Sequence, residues 1–386
     1  MTLLERFPAP APVGSGLLLQ PTGLAVLAAL GLEQQVRRCG QRINRLLGRA
    51  MPSGRAVLDV RYERLARDAH AVAVHRSALF DALHGSVQAR ALPVHCGIDV
   101  ANARRDIREV FALDEGGVAH GPFDLLVDAS GSGSKLRDAL LPSVRRIELG
   151  YGALWGNVDW PGESFSRHVL AQRYVGAHTM IGVLPIGRPA PDGPEQAAFF
   201  WSLRRRDLDA WRAAGLPAWK QRVRDIWPRT EPILEQLRDP DQLTFARYAH
   251  HTLGNPGAAR VAFIGDAAHA TSPQLGQGVN MALLDALALA QALSETADAN
   301  AALDRYAALR RWHVRVFQFA SRMLTGFYQS DSRTLALMRD YLLAPALRLR
   351  PMHRLAASLV SGLFLNPLGR LDLNERPLPP AKVPRG

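Results

Sequence analysis

Between residues 264 and 286 the chain reads Ile-Gly-Asp-Ala-Ala-His-Ala-Thr-Ser-Pro-Gln-Leu-Gly-Gln-Gly-Val-Asn-Met-Ala-Leu-Leu-Asp-Ala. It joins an acid at an apolar strand's end, a proline and a glycine-rich helix start. Asp266, at the carboxyl end of Arg260-Val-Ala-Phe-Ile, is placed to accept hydrogen bonds from sugar-like hydroxyls, because ligands gather outside the carboxyl ends of strands in open α/β sheets. Gly276 and Gly278 let the backbone approach a planar ligand closely, and the unpaired N–H groups of a helix start favour negative charge. An ordinary strand-turn-helix with glycines for packing is the plain alternative. It leaves the acid and the paired glycines without a joint purpose.

Three other places carry similar signals. Leu3-Leu4-Glu5-Arg6 is a short apolar strand ending in an acid, followed by a proline-rich turn. Gly14-Ser-Gly leads to Gln20-Pro21 with apolar residues at helical spacing up to Leu32, which reads as a turn and one helix. His75-Arg76-Ser-Ala-Leu-Phe-Asp-Ala-Leu opens a helical pattern with an arginine, whose planar guanidinium suits phosphate or sugar oxygens.

The elements needed to position these residues alternate in type. Residues 55–74 alternate apolar and polar as strands do, residues 94–123 read as short antiparallel strands around a Glu115-Gly-Gly turn, and Phe123-Asp-Leu-Leu-Val reads as a buried parallel strand. From about 150 to 248 the character changes to longer strand runs, with six of the seven tryptophans. A helix is expected over 276–293, and the remainder to about 365 reads as helical and arginine-rich with an irregular tail.

With these residues in place, the chain resembles the para-hydroxybenzoate hydroxylase-like family of FAD-dependent monooxygenases, whose Gly-Asp-Ala-x-His-x-x-x-Pro-x-x-Gly-x-Gly segment matches residues 265–278. The resemblance implies an α/β fold: a Rossmann-like FAD-binding domain, incomplete here, with an inserted antiparallel substrate domain and a helical C-terminus. Residues 1–150, with strands contributing to the substrate domain, and 249–330 would form the FAD-binding domain, 151–248 the substrate domain and 331–386 the C-terminal helices and tail. By resemblance Asp266 binds ribitol, Pro273 lines the flavin ring, and Gly276, Gln277, Gly278, Val279 and Asn280 meet the pyrimidine edge through the backbone from Leu275 onward. Glu5 and Arg6 would hold the adenosine ribose region, and Arg76 would reach phosphate or ribityl oxygens. His269 either shares in the flavin segment's role or has a helix-capping or packing role.

Two departures qualify that expectation. The family places a strand, a G-x-G-x-x-G turn and a helix ahead of the position of Glu5, and the sequence shows none before it. An upstream start, or a non-catalytic relative that holds FAD weakly, is the corresponding alternative; an unpaired strand edge should then expose apolar surface. The second departure is Ser130-Gly131 where the family has Asp-Gly, which removes a charge near the expected nicotinamide-binding region.

The implied reaction is reduction by NADH or NADPH, then transfer of one atom of dioxygen to an aromatic or other apolar small molecule. The flavin carries that chemistry, so no catalytic side chain is nominated. Tyr151, Trp155 and Phe200 are the candidate substrate contacts, although core packing explains such residues equally. Arg247 and Tyr248 are placed to meet an anionic substrate or to form a surface ion pair. A flavin dehydrogenase or reductase of the same superfamily is a further alternative. A flavin-dependent halogenase is disfavoured, since only Lys135, Lys220 and Lys382 are present and no Gly-x-Trp-x-Trp-x-Ile-Pro segment occurs.

Composition narrows the classes further. The 386 residues carry a net charge of +12, mostly through scattered arginine, which gives a broad positive field but no arginine cluster interleaved with aromatics for nucleic acid. Cys39 and Cys96 are far apart, which argues against a disulfide framework or cysteine-ligated metal and fits the cytoplasm. No run approaches the roughly 20 apolar residues of a bilayer span. The stretch from Met352 to Phe364, with Arg348, Arg350, His353 and Arg354, reads as a packed helix or a peripheral membrane contact.

Overall fold

The computed structural model describes residues 1–12 and 14–373. Its largest element is a seven-stranded sheet, in the spatial order Thr244–His250, Ile147–Asp159, Gln196–Arg204, Thr179–Gly187, Val169–Val175, Arg45–Ala50 and Ala56–Arg61. All neighbours run antiparallel except Val169–Val175 against Arg45–Ala50. The last two strands come from the first part of the chain, so this sheet is not built from the tryptophan-rich stretch alone.

Because successive side chains of a strand point to opposite faces, the sheet has two apolar sides. One carries Leu154, Val158, Ile181, Val183, Phe199 and Trp201, covered by Trp211, Trp219 and Trp227 of the helical segment after it. The tryptophans thus go chiefly to an ordinary core. The opposite face carries Trp155, Leu184, Ile186 and Ala198 and packs on Leu18, Leu275, Met281 and Phe317.

Smaller sheets make up the rest. Leu3–Glu5 pairs in parallel with Val94–Cys96, and Leu126–Asp128 pairs in parallel with Val261–Phe263. Among the described residues Leu3–Glu5 and Leu126–Asp128 each have a partner strand on one edge only, and Leu3 and Val127 are exposed. Gly16–Leu19 and Gln41–Ile43 flank Ala71–His75 in an antiparallel trio. A three-stranded antiparallel unit, Val100–Arg105, Val110–Asp114 and Ala119–Phe123, contains the Glu115 turn.

The structure corrects four sequence expectations. Residues 123–127 are not one buried parallel strand: Phe123 ends the antiparallel Ala119–Phe123, and the parallel strand is Leu126–Asp128 with Val127 exposed. Residues 17–32 are not one helix: Gly16–Leu19 is a strand, followed by helices Pro21–Ala29 and Glu33–Cys39. Pairing with Ala71–His75 overrides the local helical pattern, and Pro21, at the helix's first position, starts the change. Val94–Cys96 is parallel to Leu3–Glu5 rather than part of the antiparallel group. The glycine-rich helix runs Gly278–Glu295, after a short turn Pro273–Leu275 that closes at Gly276 in the left-handed region, φ +61°.

The long helix Ala299–Tyr328 buries Leu303, Tyr306, Leu309, Arg310, His313 and Phe317 along one side. The helix Arg350–Val360 is packed: Ala357 and Val360 are buried, and Ala356, Leu359 and Phe364 join the same core. The expected tail lies partly outside the described residues. No helix among them is long and apolar enough to cross a membrane.

Candidate active site

Val261–Phe263 ends in Ile264 and Gly265, where the chain turns sharply before the short helix Asp266–His269. Gly265 has φ +57° and ψ −139°, and a Cβ there would stand 3.0 Å from that of Ala282. Only glycine meets both demands. Its N–H donates to Asp285 Oδ2 at 2.9 Å, so the turn that aims Asp266 is anchored on the following helix.

Asp285 is fully buried and central to an ionic cluster. His269 Nε2 lies 2.5 Å from Oδ2 and Arg310 Nε donates to Oδ1 at 2.7 Å, while Arg310 reaches His313, which contacts the Gly362 carbonyl. Burial alone would raise the Asp285 carboxyl, but His269 and Arg310 outweigh it and hold it well below its ordinary range. Burial likewise opposes charge on His269, and Asp285 reverses this, so the ring's pKa is raised. His269 therefore packs in an internal ion pair.

Asp266 itself remains exposed, yet protein surrounds it closely enough that partial desolvation raises its carboxyl, with His269 and Arg76 pulling the other way. Arg76 shows the same combination: it is exposed, but desolvation lowers its pKa against the pull of Asp266. Asp266 and Arg76 thus attract one another across a patch that solvent reaches and protein partly encloses. Gly14 borders it, since a Cβ there would come within 3.0 Å of Arg76 Nε.

The helix beginning at Gly278 supplies the next wall. Met281 N–H is the first amide to find an acceptor in the preceding turn, Gln277 O, so the amides of Gly278, Val279 and Asn280 lie before the ladder. Pro273 and Gly278 are exposed and Val279 is half-buried. The side chains of Gln277 and Asn280 face inward instead. Asn280 accepts from Gln20 N–H at 2.8 Å and donates to Leu18 O at 3.0 Å, while Gln277 Nε2 donates to Val360 O. These two residues hold the loop in shape through their side chains.

Two ties join this loop region to the large sheet. Asn157 contacts Ser15 and lies 2.8 Å from His75 Nε2, and His75 caps the helix that Arg76 begins by accepting from Ser77 N–H. Gln329 donates to Gly152 O at 3.1 Å and accepts from Gln274, beside Pro273, at 3.2 Å. Trp155 stands on the same strand between Gly152 and Asn157. It stacks on Phe200 with centroids 4.6 Å apart, and its Nε1 donates to Tyr248 Oη at 2.9 Å. Burial pushes the Tyr248 phenol up to about 12, so it keeps its proton at neutral pH.

The remaining sequence candidates are dispersed. Tyr151 is engaged by Arg204 and Asp331 rather than by Trp155 or Phe200. Arg247 is exposed, and no ion pair of it is recorded among the described residues; it borders a hollow with Arg146, Tyr151 and Tyr248. Glu5, the last residue of the strand Leu3–Glu5, accepts from Phe7 N–H, and Arg6 stands over the Phe7 ring at 4.8 Å. Ser130 donates twice to Asp128, through its N–H at 2.9 Å and its Oγ at 2.6 Å.

Sequence reasoning passed over Asn157, His75, Gln329, Asp285 and Arg310. Asp285 alone had a local signal, an acid on an otherwise apolar helix stretch.

The FAD binding domain family matches residues 1–319. The chain is 28% identical over 325 residues to the aurachin C monooxygenase/isomerase of Stigmatella aurantiaca, covering 80% of this chain and 78% of that protein. It is 30% identical over 355 residues to the 3-amino-4-hydroxybenzoate 2-monooxygenase of Streptomyces cremeus, covering 85% and 82%. In structure it is similar to Klebsiella pneumoniae HpxO complexed with FAD and uric acid, with a TM-score of 0.75, 21% identity and coverage of 94% and 90%. The 2-methyl-3-hydroxypyridine-5-carboxylic acid oxygenase gives a TM-score of 0.74 at 21% identity, covering 96% and 91%. The α/β scaffold, the glycine-rich loop over a solvent-reached acid, and these likenesses together make the chain a member of the FAD binding domain family, an FAD-dependent monooxygenase of the para-hydroxybenzoate hydroxylase-like class.

Proposed function

We propose that the crevice between Asp266, Arg76 and the Pro273–Asn280 loop holds the ribityl and ring portions of FAD, and that the protein hydroxylates a planar aromatic carrying ring or exocyclic nitrogen or oxygen, with NADH or NADPH as reductant. The observation that carries this reading is the run of three helix-start amides, Gly278 to Asn280, free of intrahelical partners, in the same loop region as the solvent-reached Asp266 and Arg76.

In this reading Asp266 accepts from ribityl hydroxyls and Arg76 donates to ribityl or phosphate oxygens. The amides of Gly278 to Asn280 face the pyrimidine edge, where a helix N-terminus stabilises the negative charge of a reduced ring. Pro273 borders the ring. Glu5 and Arg6 take the adenosine end. When bound, FAD supplies the redox chemistry and the activation of dioxygen.

The chain's own side chains then orient the substrate and exclude water. Tyr248 is the chief positioning group: its oxygen is occupied by Trp155 N–H, which turns its own proton toward a substrate oxygen or ring nitrogen. Trp155, backed by the buried Phe200, offers an apolar surface; Tyr151 shapes the edge of the same sheet. The similarity to a hydroxybenzoate monooxygenase and a urate-complexed relative supports a heteroatom-bearing ring.

The test has two stages. FAD is titrated into the chain and into Asp266→Asn; losing charge-assisted hydrogen bonds worth about 1.5–3 kcal/mol should weaken binding about 10- to 150-fold. Nitrogen-bearing aromatics are then supplied with NADH or NADPH under isotopically labelled dioxygen. Labelled oxygen in the product supports hydroxylation. Reductant consumption without label in any product would reassign the protein as a dehydrogenase or reductase.

A further inference from the structure

The long helix Ala299–Tyr328 has an exposed side that its core packing does not explain. Trp312, Phe319 and Met323, spaced by seven and four residues, lie on one face, and Trp312 and Phe319 are 55% and 66% exposed. Three residues on, Gly326 meets the side chain of Leu335 in the next helix, Arg333–Met338. There the apolar surface continues through Leu337, Met338, Tyr341 and Leu342, all exposed. Among the described residues, nine of the seventeen exposed large hydrophobics fall between residues 312 and 365, so this is a concentration and not scatter.

The charge around it is one-sided. From Trp312 to Leu365 the sequence holds seven arginines and two acids, Asp331 and Asp340. Both acids are already paired, Asp331 with Arg204 and Asp340 with the buried Arg339. Arg315, Arg322, Arg333, Arg348, Arg350 and Arg354 are exposed. Arg315 stands over the Trp312 ring at 5.5 Å and Arg55 over Tyr341 at 4.5 Å, which sets positive charge directly against exposed aromatics.

We propose that this face docks on an anionic lipid surface, with Trp312, Phe319 and Leu342 entering the headgroup region and the surrounding arginines binding lipid phosphates. Apolar side chains rimmed by unpaired arginine are the combination an interfacial contact requires. A second copy of the chain is the other candidate occupant. Its matching face would oppose arginine to arginine, whereas an anionic bilayer neutralises them. The contact is peripheral, and it does not use the apolar side chains of Met352–Phe364, which pack in the core.

The experiment is co-sedimentation of the full chain with vesicles of phosphatidylcholine alone and with about a third phosphatidylglycerol, and it reads binding independently of catalysis. Binding should require the anionic lipid and fall at least tenfold at about 0.5 M salt, where the Debye length drops to a few ångströms. The double variant Phe319→Glu with Leu342→Glu should lose at least tenfold while keeping the wild-type circular dichroism. Arg315→Ala with Arg322→Ala should lose several-fold and flatten the salt dependence. Equal binding to both vesicles, or none, would overturn the proposal. So would a dimer in light scattering that the glutamate variant dissociates.

Discussion

Replacing Asp285 by asparagine tests the physical argument for the crevice at its foundation. The substitution keeps the shape but removes the one negative charge between His269 and Arg310, both buried. Arg310 then retains His313 and the Met281 carbonyl and sulfur but no carboxylate among the described residues, and its guanidinium cannot shed its proton. Breaking one side of a buried ion pair costs about 3–5 kcal/mol. The amide oxygen of the new residue can still accept from Gly265 N–H, and His269 can become neutral, so the lower end, about 3 kcal/mol, is expected. Guanidinium unfolding followed by circular dichroism should show a lower midpoint at unchanged slope. Asp285→Leu with Arg310→Met should recover most of the loss, because a buried pair replaced by apolar groups of similar volume is often neutral or better. A single-variant loss below about 1 kcal/mol, or a double variant no better than the single, would refute the assignment of this cluster as a charge-balanced anchor for the Gly265 turn.

Further outcomes follow from the same geometry. His251 and His313 are pushed by burial down to about 4 and about 3, so both are neutral when folded but protonate near 6.5 when unfolded. Stability should therefore fall as pH drops below 6.5, by up to about 1.4 kcal/mol per unit for each histidine. His269 has the opposite sign: its raised pKa stabilises fully below 6.5 and is lost as pH climbs through the folded value. Chemical denaturation across pH should show a maximum close to 6.5, and a flat profile between pH 4.5 and 6.5 would contradict the two neutral histidines. Gly265→Ala should cost about 2–3 kcal/mol from its backbone strain and its contact with Ala282, read by thermal unfolding; an unchanged midpoint would show that the turn relaxes freely. Asn157→Leu removes one tie between the sheet and the Arg76 helix and should cost about 1–3 kcal/mol while raising KM for an aromatic substrate, and an unaltered KM would detach that tie from the site.

The Asp266–Asn280 segment was readable because its residues are neighbours in sequence. A strand end, a glycine turn and a helix start follow one another, and local backbone geometry brings the acid, the proline and the amides to one loop whatever the rest of the chain does. Arg76 was readable through its place at a helix start. The strand-rich character of residues 150–248 was also plain from alternation. The direction of the side chains within that motif was not: Gln277 and Asn280 turn inward to Val360, Gln20 and Leu18, and only their backbone stays at the surface.

What the tertiary structure decided lies at long sequence separation. Asn157 meets His75 across 82 residues and Gln329 meets Gly152 across 177, and neither pairing has a periodicity or a spacing to announce it. Gly16–Leu19 reads as helix locally and becomes a strand because Ala71–His75 supplies its hydrogen bonds. The tryptophans that mark the middle of the chain divide between two faces of one sheet, most of them filling a core and Trp155 lying on the other face against Phe200 and Tyr248. Sequence fixes which residues can be apolar, charged or left-handed; which of them meet is set by strand register and helix packing, since those bring together groups that the chain itself keeps far apart.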